Sequence, residues 1–593
     1  MHPEFLIMKT HCICFVALLI APMVLHAQAP FGVNLDNANA FVNMVNHTAR
    51  YSEATGYDDN GWPTSDFSLV LMDARPATEW NGTIDDPDVY RRDVSGRYLC
   101  SFKGLATLAA TGTAVQIENQ TYDEGTNTTN FDLVVGAAGE PNHGLVFLRF
   151  TNTQRSAESM TPSGITELRV HRPGYARETS QVFTNEFLNL CRSAPFQCYR
   201  YYNVQNIWDG EPTWPAVTQW SNRKRPEDAA QVSMSALNGK RDGWCWEYIV
   251  ELANTLGKDI WINIHQSCDA EYVHELASML QRDLNSSINI YVESSNEVWS
   301  PTQATHGPYN AARAAALGIT FDQSHAHRTV ELSRWFADVF GASAINQRIR
   351  IIMAGQHAYN GRSDIHLNFI NTAFGPPKSF IYATSTATYH GSSAVNDPDP
   401  VVIANGMITD IQDQISNSAG NLYRLNHINK AAQWDLPGGC TSYEGGPHIP
   451  AGGGTTNLAS QIRAHRTSQM ADVTHFNYRN GWFDLGGGLA MYFTLYSPYN
   501  RYGCWGITDD PAIPDRTYKL AGIKKLLEGA TSVAEKKTQD PGAKDPSAQD
   551  PGAQDPSSAV QPQLYDLLGR RVENASGMVI QVANGRARLI LAQ

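Results

Sequence analysis

The chain has 593 residues, 42% hydrophobic and 17% charged, with a net charge of −13 at neutral pH. That length is more than one ordinary domain and predicts two or three units. The negative balance excludes nucleic acid and an anionic membrane surface as partners.

Lys9 precedes the apolar run Cys14-Phe15-Val16-Ala17-Leu18-Leu19-Ile20, and Ala27-Gln28-Ala29 forms a small-residue cleavage site before Pro30. Residues 1–29 therefore read as a secretory signal peptide. The run is too short for a membrane helix, and no later segment holds about eighteen uninterrupted apolar residues. The mature chain is expected to be exported and soluble, without a membrane span. Removing Cys12 and Cys14 leaves Cys100, Cys191, Cys198, Cys245, Cys268, Cys440 and Cys504. Export permits disulfides, the odd count leaves at least one thiol unpaired, and Cys191 with Cys198 is the only sequence-local pair.

Phe31 to Leu35 reads as a first strand and Phe67 to Met72 as another extended stretch, so residues 30–89 are expected to begin a barrel. Between about 90 and 173 the pattern alternates with period two, in Val115-Gln116-Ile117, in Glu167-Leu168-Arg169-Val170 and from Tyr98 to Lys103. Gly, Asn and Thr clusters separate these runs. This predicts a small antiparallel β-domain, inserted into the next unit or preceding it.

From 174 to 529 strands and helices alternate. Cys198 to Tyr202 is a strand, Trp246 to Leu256 a helix, and Asp259 to His265 a strand, followed by a helix capped by Asp269. The run Ile288 to Val292 ends in Glu293-Ser294-Ser295-Asn296-Glu297-Val298-Trp299. A helix around Leu332 to Phe340 and strands at Ile349–Ala354, Phe380–Thr384 and Ala490–Leu495 follow. Repeated βα units with apolar strands predict an α/β fold, a (β/α)8 TIM barrel. An open doubly wound sheet is the alternative, and no G-x-G-x-x-G follows a strand to favour it. Residues 530–562 repeat Asp-Pro-small-Ala with period five and read as an extended linker. Residues 563–593 turn strand-like again.

Two glutamates stand at strand ends. Glu297 closes one apolar strand, and Glu444 lies in Tyr443-Glu444-Gly445-Gly446, where two glycines let the backbone turn and leave room for a substrate. Glycoside hydrolysis needs such a pair, one carboxyl group to protonate the leaving oxygen and one to attack the anomeric carbon or activate water. The two are 147 positions apart. If they end the fourth and seventh strands, each βα unit between them takes about 49 residues, against roughly 31 in a plain barrel, which long upper loops accommodate. The 13 Trp and 25 Tyr supply flat amphipathic rings suited to stacking on sugars.

With the strings Ile290 to Trp299 and Tyr443 to Gly446, with Trp261-x-Asn263 and with Arg200, residues 176–527 resemble retaining glycoside hydrolases. Their clan is the large barrel clan of cellulases, xylanases and mannanases, and the strings are similar to a set of secreted bacterial members. The resemblance implies Glu297 as acid/base, Glu444 as nucleophile, and Asn296 on the sugar 2-hydroxyl. It places Arg200 beside the nucleophile to keep it ionised, with the carboxyl groups about 5–5.5 Å apart. Tyr389 or His390 is then placed to hydrogen-bond the nucleophile, Trp505 to lie under the cleaved sugar, and His265 and His357 to line the cleft. Glu293 is expected to be a buried structural carboxylate. The C-terminal segment resembles the end of sorting tails on proteins exported and surface-attached by Bacteroidetes-type and Fibrobacter-type bacteria. Its pattern is Tyr565-Asp566-x-x-Gly569-Arg570-x-Val572, then a Gly577-led strand, then Asn584-Gly585-Arg586.

No cofactor and no metal is expected. G-x-S-x-G, H-E-x-x-H and paired C-x-x-C are missing from the sequence, and His325-x-His327 lacks a third ligand and reads as a surface pair. The expectation is a secreted, monomeric retaining hydrolase of β-linked plant polysaccharide, β-glucan or cellulose first, then xylan or mannan. The rivals are a non-catalytic carbohydrate-binding protein on the same barrel and a metal-dependent lyase or oxidase.

Overall fold

The structure, a computed structural model, describes residues 29–528 except 37–38, 49, 74–84, 87, 89–91, 113, 138–143, 208–210, 233–242, 300–305 and 417–421. It also describes the strands Gln563–Tyr565, Arg571–Val572, Gly577–Ala583 and Arg586–Ala592. The expected signal peptide as far as residue 28 and the Asp-Pro linker lie outside the described residues. Two units divide the chain, Met1–Val533 and Ala534–Gln593.

Eight parallel strands close into a barrel: β1 (Phe31–Asn34), β2 (Cys198–Arg200), β3 (Asp259–Ile264), β4 (Ile290–Ser294), β5 (Ile349–Ala354), β6 (Ala383–His390), β7 (Cys440–Pro447) and β8 (Ala490–Tyr492). Each pairs with the next, and β8 returns to β1, so no edge is left open. Side chains alternate along each strand. Ile260, Ile262 and Ile264 of β3, with Ile290 and Val292 of β4, pack outward with the helices. Trp261 and Tyr291 turn inward with Ile352, Ala387 and Met491. The helices begin where the sequence signals them, as at Ala270–Asp283, where the Asp269 side chain accepts from the Tyr272 amide.

Strand β6 differs from expectation. Pro376 and Pro377 seed a short 3₁₀ turn, Pro377–Ser379, so the strand starts at Ala383 rather than Phe380. Its sequence, Ala-Thr-Ser-Thr-Ala-Thr-Tyr-His, is polar yet mostly buried. Hydroxyls meet their partners within the sheet: Ser385 Oγ donates to Thr441 O at 3.2 Å, and Thr388 Oγ1 lies 3.0 Å from Ser442 Oγ.

Between β1 and β2 the chain forms two four-stranded antiparallel sheets, so the β-domain is inserted. One sheet runs Arg50–Ser52, Phe67–Asp73, Leu145–Gln154, Leu105–Gly112, and the other Val115–Asp123, Thr128–Val135, Gly96–Lys103, Thr166–His171. They share a core that includes Phe67, Leu69, Phe102, Phe131, Leu148 and Phe150, with Phe67 stacked on Phe150 at 4.6 Å. The antiparallel region therefore begins near residue 50, not 90. Phe67–Asp73 is an apolar run like a barrel strand, and only its partner Leu145–Gln154 distinguishes the two.

The seven cysteines among the described residues are buried free thiols. Cys191 packs in the layer between barrel and helices, whereas Cys198 packs inside the barrel, so the sequence-local pair stands on opposite sides of β2. Among the described residues no helix is long and apolar enough to cross a membrane. In the second unit the four strands form one antiparallel sheet.

Candidate active site

The C-terminal end of β4 carries Glu297. There Ser295 and Glu297 both take left-handed backbone conformations, φ +54° and +51°. For residues with a Cβ this conformation costs about 1–2 kcal/mol each and persists only where the surroundings impose it. Here the surroundings are specific. Ser295 N donates to Ile264 O at 2.7 Å, Asn263 Nδ2 donates to Ser295 O at 2.6 Å, and Trp299 N donates to Glu297 O at 2.8 Å. The loop aims Glu297 over the barrel mouth while Asn296 points into the interior.

Glu444 arrives on β7. The pairing of β6 with β7 slips at Thr386/Ala387, so Thr386 faces Ser442 while Ala387 faces Glu444, and Tyr443 is the extra residue of a bulge. That bulge turns two consecutive residues, Tyr443 and Glu444, to the barrel interior. Tyr443 Oη then donates to Glu297 Oε1 at 3.3 Å. The carboxyl group beyond the fourth strand thus bonds the phenol of the residue that precedes Glu444 on the seventh. The glycines after Glu444 are required by the sheet. A Cβ on Gly445 would lie 1.9 Å from Thr388 Oγ1, and Gly446 has φ +125° with Tyr492 behind it.

Arg200, fully buried at the end of β2, holds the centre. Its Nη1 donates to Glu444 Oε1 at 2.9 Å and to Asn34 Oδ1 at 3.0 Å. Its Nη2 donates to Asn296 Oδ1 at 2.6 Å and to Glu293 Oε2 at 2.9 Å, and its Nε to Glu293 Oε2 at 3.1 Å. The guanidinium also lies 4.3 Å from the Tyr202 ring centroid. Burial works against its charge, but the carboxylates of Glu293 and Glu444 outweigh that, and its pKa is raised. Asn34 ties β1 into the same network, donating from Nδ2 to Tyr443 O and Tyr492 O at 3.0 and 3.1 Å.

Tyr389 donates to Glu444 Oε2 at 2.9 Å. Burial, then the Glu444 charge, raises its phenol well above the usual range, so it remains a donor. Its neighbours form an aromatic wall: His448 at 5.4 Å, Phe493 at 6.4 Å, and Trp505 at 5.7 Å from Phe493. Trp505 is half-buried, and Lys519 Nζ holds its loop by donating to Gly506 O at 3.0 Å. On the other side of the pair Trp299 tilts against Tyr443 at 5.9 Å.

Of the expected residues, Arg200, Asn296, Tyr389, Glu297 and Glu444 are brought into one network, with Trp505 in the adjoining wall. His390 is not. One position beyond Tyr389, it points to the opposite side of β6, with Nδ1 3.2 Å from Gly391 O, and burial pushes its pKa down to about 3. His357 also stands apart. Its Nδ1 lies 3.2 Å from Thr386 Oγ1, its ring packs with Tyr423 and His427 of helix Tyr423–Gln433, and burial lowers its pKa to about 3. His265 sits beside Glu211, Nδ1 to Oε1 3.4 Å, and near His306, which hydrogen-bonds the Glu297 backbone. His325 and His327 diverge because residues two apart on a helix face different ways. His325 is buried beside His366, whereas His327 meets Arg313 and Glu331. The expected surface pair is half wrong, since His325 lies in the interior.

Asn34, Tyr202 and Tyr443 were not singled out from the sequence. The signal for Tyr443 was its place beside Glu444, but inward projection of both depends on a bulge that period-two alternation hides.

No protein-family model matches the chain, and no curated protein matches it. Among solved structures it is similar to a 4-O-α-L-rhamnosyl-β-D-glucuronidase from Fusarium oxysporum 12S, with 14% identity, a TM-score of 0.34, and coverage of 56% of this chain and 69% of that one. It is similar to a fungal β-1,4-galactanase at 11% identity and TM-score 0.30, over 58% of this chain and 92% of that one. A psychrophilic family 10 endo-β-1,4-xylanase matches at 9% identity and TM-score 0.29, over 57% and 91%. These are likenesses of fold; the barrel itself is established by its own strand pairing.

Proposed function

We propose that the chain is a retaining glycoside hydrolase, secreted, that cleaves β-linked plant polysaccharide, with β-glucan or cellulose as first candidate and xylan or mannan next. The observation that carries this reading is the pair Glu297 and Glu444 at the C-terminal mouth of one barrel, held by different donors. Glu444 accepts charge-assisted and neutral hydrogen bonds from the Arg200 cation and from Tyr389. Glu297 accepts from the neutral Tyr443 hydroxyl. Different environments assign different roles.

In the first step Glu297 donates its proton to the glycosidic oxygen as the bond to the anomeric carbon breaks, and a Glu444 oxygen bonds to that carbon. In the second, Glu297 takes a proton from water, whose oxygen bonds to the anomeric carbon and releases the Glu444 carboxylate. Asn296 Oδ1 is fixed by Arg200, while its buried Nδ2 has no partner among the described residues, which suits donation to the sugar 2-hydroxyl. Trp505 is proposed as the platform under the cleaved sugar. The C-terminal segment is proposed to serve secretion or cell-surface attachment, on its sequence pattern. The test is a polysaccharide panel with product sizing and NMR of the first-formed anomer. Products of retained configuration are expected, and inverted products, or no sugar release from any glycan, would refute the reading.

A further inference from the structure

Arg200 serves two carboxylates. Its Nη1 edge goes to Glu444 and its Nε/Nη2 edge to Glu293, a residue with 1% exposure. The bonds to Glu293 are lopsided. Oε2 accepts from Arg200 Nε and Nη2, from Trp261 Nε1 at 2.8 Å and from Asn263 Nδ2 at 3.0 Å, whereas buried Oε1 has no partner among the described residues. A carboxylate that only braced the barrel would be expected to spread its donors over both oxygens. This one concentrates them on the atom that touches Arg200.

We propose that Glu293 is a positioning residue of the catalytic site: it divides the charge of Arg200 with Glu444 and thereby sets the pH at which Glu444 becomes reactive. The inference rests on the reading of Glu444 as nucleophile. The charged and titratable groups facing this cluster are Arg200 and Tyr202 from β2 and its loop, Glu297 from the β4 loop, Tyr389 from β6, and Tyr443 with Glu444 from β7. β1 and β3 contribute the neutral Asn34, Trp261 and Asn263, and β5 places Ile352 opposite Glu293. One buried cation therefore faces two carboxylates in direct contact. Burial raises the Glu293 carboxyl, Arg200 opposes it, and the Glu444 charge adds to the rise. Two carboxyl groups this close ionise as a pair, and withdrawing one charge makes the other ionise more easily.

Glu293→Gln keeps a carbonyl oxygen for the donors on Oε2 and removes the charge. In the full-length protein the acid limb of the kcat/KM pH profile is expected to move to lower pH by about one unit. Should Glu293→Gln fail to melt cooperatively, Glu293→Asp, whose shorter reach withdraws the carboxylate from Arg200, is expected to move the limb the same way by less. A limb that stays in place or moves upward in a folded variant overturns the proposal. Difference infrared titration without substrate separates this outcome from failure of the hydrolase reading. Compared with wild type, Glu293→Gln should lack one buried carboxyl transition, and its remaining coupled carboxyl should protonate at lower pH. Unchanged carboxyl titration overturns the proposal even if no glycan is cleaved by the wild type.

Discussion

Replacing Tyr389 by Phe removes one oxygen and little else. The ring keeps its packing against His448 and Phe493, while Glu444 Oε2 loses the donor at 2.9 Å. A hydrogen bond to a charged group contributes about 1.5–3 kcal/mol. If that bond holds the Glu444 carboxylate in the plane needed for attack and steadies it as it departs, the loss falls on the barrier. At about 1.4 kcal/mol per tenfold, kcat/KM should drop by about 10- to 150-fold. The assay is initial rates of wild type and Tyr389→Phe on one cleaved glycan, with thermal melts run alongside. Melting should hardly change, because the phenol is replaced by a ring of the same shape. Rates within about twofold of wild type would refute the role given to Tyr389, as would a rate loss matched by loss of folded protein.

Arg200→Met leaves Glu293 and Glu444 buried without their cation, and should destabilise the barrel by about 3–5 kcal/mol, read as a lower denaturant midpoint of the catalytic unit. Gly445→Ala would drive a Cβ to 1.9 Å from Thr388 Oγ1 and 3.1 Å from the Thr388 carbonyl carbon, so β6 and β7 must separate. A cost of about 1–3 kcal/mol is expected, together with loss of activity through the adjacent Glu444. His325 and His390 are held neutral by burial, with pKa values near 3, whereas the unfolded chain protonates them around pH 6.5. The unfolded state then binds more protons, so stability is full above about pH 6.5 and falls on acidification, by up to about 1.4 kcal/mol per pH unit for each histidine. Denaturation curves between pH 7 and 5 read this directly, and a flat or rising stability over that range would contradict the burial of these two rings.

The barrel was legible because its strands are apolar and separated by amphipathic helices of ordinary length. Trp246–Leu256 appears with the bounds its spacing predicts. β6 was misplaced by three residues because its threonines and serines carry no apolar signal, and its hydroxyls find partners only in the assembled sheet. The insertion began earlier than expected since strand Phe67–Asp73 is defined by a partner almost eighty positions away. In the site, Asn296, Glu297 and Glu444 stood out because charged and amide groups at the ends of apolar strands must be held by something, whereas Arg200 came with the family resemblance. His390 and His357 also stand at strand ends, but alternation turns one outward, and a hydroxyl on the helix-facing side of β6 claims the other. Glu293 was rightly read as buried, yet its sharing of Arg200 depends on how β2, β4 and β7 meet.

The most direct test of the central claim is sugar release by Glu297→Gln and Glu444→Gln beside wild type, on the same glycan. Both substitutions should preserve the fold and lower the rate by at least about 10²-fold, the lower end of what a positioned acid/base group contributes. A folded variant of either residue that releases sugar within about threefold of wild type would contradict the assignment of the pair.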